Sequence, residues 1–132
     1  MLDLLESFME AEGHEYLRLD GGTKAEERPG LIDAFNAPDS PIFAFLISTR
    51  AGGLGLNLQS ADTVVIYDSD FNPQNDLQAM ARVHRIGQTN NVLVLRLVSV
   101  GPEPGVESVE EGVLAVARRK LERERRIIGA WR

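Results

Sequence analysis

Apolar residues open the chain at helical spacing. Leu2, Leu5, Phe8 and Met9 recur every three or four positions through LDLLESFMEAEG and stop at Gly13, which predicts a helix closed by a glycine at C′. EYLRL then reads as a short strand stopped by Asp20-Gly21-Gly22. Thr23 with Glu26 three residues on has the form of a capping box at the head of TKAEERPGLIDAFN, and Pro29-Gly30 should kink or divide that helix. Three continuous apolar runs follow, IFAFLIS, TVVIYD and the longer, valine-rich NVLVLRLVSV. Such runs are the pattern of parallel strands buried on both faces. Between the second and third, Asn72 as N-cap, Pro73 at N1 and Gly87 at C′ predict a helix from about Pro73 to Ile86. After the loop GPEPG, the remainder reads as one long helix. Strands alternating with helices predict an α/β domain with a mainly parallel sheet flanked by helices.

Length and charge narrow this picture. At 132 residues the chain is one domain of ordinary size. It has no cysteine, so disulfides and thiolate metal sites are excluded, and no apolar run approaches a membrane span. The net charge of −6 is unevenly spread: Arg118 to Arg132 holds seven basic and two acidic residues, and Met1 to Ala117 seven basic and eighteen acidic. General attraction of nucleic acid to a body of −11 is not available. Any phosphate contact there must be local and made by few side chains.

Two stretches carry candidate chemistry. STRAGGLGLNL, residues Ser48 to Leu58, follows the strand IFAFLI directly, where ligands bind beyond the carboxyl ends of strands in open α/β sheets. Its glycines let backbone amides approach a phosphate or ribose; a tight strand-to-helix turn is the plainer alternative. A dinucleotide fingerprint is not met, because Leu58 stands where the third glycine of G-x-G-x-x-G is required. The second stretch is QAMARVHRIGQ. On a helix, Gln78, Arg82 and Arg85 fall within one narrow arc, with Leu77, Met80 and Val83 towards the other side. Two guanidiniums on one face can grip one anion, or can form a solvated face favoured by the helix C-terminal dipole. No Gly-Lys-Ser/Thr phosphate loop, HExxH or nucleophile elbow occurs.

Taken in order, YLRLDG, TKAEER, FLISTRAGGLGLNLQSADTVVIYDSDFNP, RVHRIGQ, VLRLVSV and SVEE resemble the second RecA-like lobe of superfamily-two helicases, above all that of Swi/Snf-type chromatin-remodelling ATPases. The resemblance implies a RecA-like lobe over residues 1–100 that lacks its first strand, a loop insertion at 101–106 and a basic C-terminal helix at 107–132. It implies that Arg82 and Arg85 are arginine fingers, that Gly53, Gly55, Asn57 and Gln78 face ATP, and that Thr49 and Arg50, with Lys24 and Arg28, meet the DNA backbone. Ala81 stands where the family has aspartate, and Phe71 where close relatives carry tryptophan.

The function so implied is the second-lobe half of an ATP-dependent DNA translocase. Its partners would be double-stranded DNA or a nucleosome, a first helicase lobe and subunits of a remodelling complex, in the nucleus and away from membranes. The phosphate loop and the Mg²⁺-binding motif belong to the first lobe, so Mg²⁺ is expected only through that lobe and hydrolysis is not expected from this lobe alone. The alternative is a non-catalytic, stand-alone lobe that binds DNA or another remodeller.

Overall fold

The computed structural model describes residues 1–52, 55–83 and 91–129. Among them helices and strands alternate throughout: α1 (Leu2–Glu12), β1 (Tyr16–Leu19), α2 (Arg28–Asn36), β2 (Ala44–Ile47), α3 (Thr49–Gly52), β3 (Thr63–Ile66), α4 (Pro73–Met80), β4 (Leu93–Arg96) and α5 (Val109–Gly129). Gly13 ends α1 in the left-handed region at φ 72, donating back to the last turn, as the sequence predicts. Arg18 of β1 clasps α1 through Asp3 and Glu6 and also binds Asp20. Those bonds hold the Asp3 carboxyl below its ordinary range. Asp20 is lowered too, first by the Gly22 amide and then by Arg18.

Both strand pairs are parallel. β1 pairs with β2, with Leu19 opposite Ile47, and β3 pairs with β4, with Ile66 opposite Arg96. Among the described residues no ladder joins β2 to β3, so the sheet is present as two halves. One core nevertheless serves both. Leu19, Ala51, Leu56, Leu58 and Val83 are buried together, and Phe45, Ile47 and Val64 pack against them.

Five sequence expectations are corrected. The capping box at Thr23 does not form: α2 starts at Arg28 with Glu27 as N-cap, and the Thr23 hydroxyl instead accepts from the Asp20 amide. Pro29 therefore opens the helix rather than kinking it, because a first-turn residue needs no N–H partner. α4 ends at Met80, not near Ile86. Arg82 and Val83 donate to carbonyls three residues back, tightening the last turn, and Val83 is drawn into the core. The third apolar run gives only the four-residue strand β4.

The fifth correction concerns burial. Val65, Leu93 and Leu95 share one face of the β3–β4 ladder and are 52%, 55% and 44% exposed, so these strands are not covered on both faces. An apolar run records what the side chains require, not which element supplies it.

The true capping box lies at the head of α5. Ser108 Oγ accepts from the Glu111 amide at 3.1 Å, and the Glu111 carboxylate accepts from the Ser108 amide at 2.7 Å. With a further bond from the Gly101 amide at 3.1 Å, these donors hold Glu111 below the usual carboxylate range. α5 packs against α4, burying Val113 and Ala117. Its polar links are Lys120 Nζ to the Phe71 carbonyl at 2.9 Å and Gln74 Nε2 to Glu124 at 2.7 Å. From Glu122 to Arg126 every residue is exposed.

Candidate functional site

The loop after α3 is shaped by its apolar residues. Leu56 and Leu58 are buried, and Asn57 between them is half-buried. Gly55 takes φ 71, a left-handed conformation that costs an L-residue roughly 1–2 kcal/mol. A side chain there would also meet the Arg82 guanidinium, whose Nη1 lies 3.9 Å from the ideal Cβ position. The end of α4 thus lies against this loop.

One peptide unit ties the two together. The Asn57 carbonyl accepts from Asn36 Nδ2 at 2.8 Å, and the amide of the same peptide, Leu58 N–H, donates to the Arg82 carbonyl at 3.1 Å. Two polar side-chain atoms at this junction are buried without a partner among the described residues, Asn57 Oδ1 and Arg82 Nε. One is an acceptor and the other a donor. A buried polar group left unpaired costs about 1–3 kcal/mol, so native proteins keep such atoms sparingly and often for a ligand or water. This pair marks the junction as the candidate site.

α4 is anchored at its other end as well. Asn72 caps it by accepting from the Gln74 amide at 3.2 Å. Asp70 accepts from the Asn72 amide at 2.7 Å and from Asn75 at 2.9 Å, and these bonds hold its carboxyl below the ordinary range. Asp76 is the one buried charged side chain among the described residues. It pairs with Arg96 at the end of β4, accepts from the Asp70 amide, and Arg96 also donates to Ser69 Oγ at 2.7 Å.

Of the residues singled out in the sequence, the structure brings Gly55, Asn57 and Arg82 together. Gln78 is exposed on α4, one turn before Arg82. Thr49 is exposed at the start of α3, where the Ser48 hydroxyl accepts from the Ala51 amide at 3.3 Å. Arg50 lies in the same short helix, its side chain outside the described residues. Lys24 is exposed, whereas Arg28 spends its guanidinium on the Thr23 carbonyl, at 3.2 and 3.1 Å. Gly53 and Arg85 lie outside the described residues, and the expected common face of Gln78, Arg82 and Arg85 lies outside them with Arg85. Sequence reasoning missed Asn36, Asp76 and Arg96. A charge inside the apolar run VLVLRLVSV was the available signal for Arg96, and nothing comparable marks Asn36. Among the described residues no group of three or more His, Asp or Glu could hold a metal ion, and no helix is long and apolar enough to cross a membrane.

Parallel strands alternating with helices, a glycine-bent loop beyond a strand end, and an arginine brought against that loop define a RecA-like lobe of the helicase type. Residues 1–87 match the helicase conserved C-terminal domain, and the chain belongs to that family. It is 53% identical over 130 residues to the nuclear protein STH1/NPS1 of Saccharomyces cerevisiae and 56% identical over 129 residues to the ATP-dependent helicase brm of Drosophila melanogaster. Each comparison covers 98% of this chain but only 9% and 8% of the relative, so the chain spans less than a tenth of those proteins. The crystal structure of the C-terminal part of the Fun30 ATPase domain superposes with a TM-score of 0.77 at 41% identity, over 88% of this chain and 35% of that one. The lobe is of the Swi/Snf type found in chromatin-remodelling ATPases.

Proposed function

We propose that this lobe is the nucleotide-sensing and DNA-gripping half of an ATP-dependent DNA translocase acting on chromatin in the nucleus. The observation that carries the reading is that two buried polar atoms without partners, Asn57 Oδ1 and Arg82 Nε, belong to residues whose backbones meet through the 57–58 peptide. An acceptor and a guanidinium on one loop junction suit the two ends of a nucleotide: Asn57 takes a ribose hydroxyl, and Arg82 meets phosphate charge. Gly55 gives the loop the left-handed bend against which the guanidinium lies. With Arg85, Arg82 acts as an arginine finger, stabilising charge that develops on the γ-phosphate when a first lobe closes over ATP. Gln78 serves the nucleotide too, and Gly53 is assigned the same task from its sequence motif alone. Thr49 and Arg50, at the head of α3, meet the DNA backbone; Lys24 and Arg28 are further contacts, Arg28 while also binding the Thr23 carbonyl. Mg²⁺ reaches the site through the first lobe, since these 132 residues contain no phosphate loop.

The brm name supplies ATP dependence and the STH1/NPS1 name a nuclear setting, and both relatives match nearly the whole chain. Thr49→Ala tests the division of labour in a two-lobed protein carrying this lobe. DNA stimulation of ATP hydrolysis should fall while the KM for ATP stays at the parent value. A raised KM with intact DNA stimulation would place Thr49 on the nucleotide side and overturn the assignment.

One observation favours a second reading. The exposed end of α5 carries Arg118, Arg119, Lys120, Arg123, Arg125 and Arg126, which suits a non-catalytic lobe binding DNA or another remodeller.

A further inference from the structure

The side chain of Asn36, the last residue of α2, is committed at both ends. Its Nδ2 donates to the Asn57 carbonyl at 2.8 Å, and its Oδ1 accepts from the Ser60 amide at 3.2 Å and the Ser60 hydroxyl at 2.8 Å. The partners fix the orientation of the amide, because a carbonyl only accepts and a backbone N–H only donates. The Phe35 carbonyl, 3.2 Å from Ser60 Oγ, competes for the same hydroxyl proton, and either acceptor ties Ser60 to the end of α2. The Asn57 carbonyl belongs to the same peptide whose N–H donates to the Arg82 carbonyl. A single chain of hydrogen bonds therefore runs from the Asn36 amide through the 57–58 peptide to the backbone of Arg82. Bonds in such a series polarise and strengthen one another.

We infer that Asn36 is a positioning residue for the nucleotide site: it fixes the 57–58 peptide so that the unpartnered Asn57 Oδ1 and Arg82 Nε stand ready for the same ligand. Asn36 makes no contact with the nucleotide itself. The inference rests on the nucleotide reading of Asn57 and Arg82, and assigns to α2 a task in that site. An irregular loop with Gly55 at positive φ has few intrinsic restraints, and the Leu56 and Leu58 side chains fix its depth but not the rotation of the peptide between Asn57 and Leu58. Asn36 and Arg82 together fix that rotation.

The test uses a full-length two-lobed ATPase carrying this lobe, with steady-state ATP hydrolysis measured at saturating DNA. Asn36→Asp keeps the acceptor towards Ser60 and removes the donor to Asn57, whereas Asn36→Ala removes both. The KM for ATP should rise roughly three- to tenfold in Asn36→Asp, as for a lost hydrogen bond acting on binding, and kcat should fall with it as Arg82 loses its alignment. A merely structural role would lower the amount of folded enzyme, reducing apparent kcat and leaving KM at the parent value. That outcome in Asn36→Asp overturns the inference, even if Asn36→Ala fails to fold. Asn57→Ala, measured beside it, separates the two layers. If Asn57→Ala raises KM and Asn36→Asp does not, the positioning role alone is wrong. If neither changes KM, the nucleotide reading falls and the positioning role with it.

Discussion

The Leu58 amide donates to the Arg82 carbonyl at 3.1 Å, while the Arg82 guanidinium lies against Gly55, three residues before Leu58, its Nη1 3.9 Å from the ideal Cβ position there. Backbone and side chain of one arginine are thus both fitted to one glycine-bent loop. Gly55→Ala should destabilise the chain by roughly 1–2 kcal/mol, because φ 71 is strained for any L-residue. Gly112→Ala, in open space within α5, should stabilise it by up to about 0.8–1 kcal/mol. Urea unfolding of the two variants should move in opposite directions.

Asp76 and Arg96 form the ion pair that ties α4 to β4, with the Asp76 side chain 7% and that of Arg96 29% exposed. Removing the arginine strands a buried carboxylate, so Arg96→Leu should cost about 3–5 kcal/mol. Asp76→Leu with Arg96→Leu should recover much of that loss, since no charge is then left buried without a partner. Chemical denaturation of the single and double variants gives the comparison.

Glu111, Asp70, Asp20 and Asp3 all have carboxyls held below their ordinary range, by amide donors or by Arg18. A group with a depressed folded pKa stabilises the fold above its unfolded value, ordinarily ~4, and that stabilisation is lost as pH falls through the folded value. The thermal midpoint should therefore be flat near neutrality and drop on acidification below about pH 4. Glu111→Gln, which removes one such carboxylate, should lower the midpoint at pH 7 and converge on the parent in acid.

Val65, Leu93 and Leu95 present a contiguous apolar face, and exposed strands of this kind promote association. The apparent molar mass of the 132-residue protein by light scattering should increase with concentration. Leu95→Lys should suppress that increase without lowering the thermal midpoint, since Leu95 is 44% exposed and carries little of the fold.

Much of this architecture is legible in the sequence, for reasons that differ by element. Gly13 and Asn72 announce a helix end and a helix start because each acts locally, through left-handed backbone or a side-chain cap. Thr23 and Glu26 carry the same form of signal but fail, because the Asp20-Gly21-Gly22 turn takes the Thr23 hydroxyl and Pro29 supplies its own helix start. The end of α4 is set by distant contacts: burial of Val83 and the bond from Leu58 override a pattern that reads as helix to Ile86. The candidate site is legible in part. Gly55, Asn57 and Arg82 stand in quotable motifs, whereas Asn36 matters only through a partner 21 residues away, a pairing that no local period encodes.

The central claim is that Arg82, brought against the Gly55–Asn57 loop, acts on the phosphates of ATP. The direct measurement is DNA-stimulated ATP turnover by a two-lobed protein carrying this lobe, parent against Arg82→Ala, with DNA affinity measured alongside. The account predicts a fall in kcat of about 10³-fold or more, with DNA affinity within about twofold of the parent. Turnover by Arg82→Ala at the parent rate would contradict it.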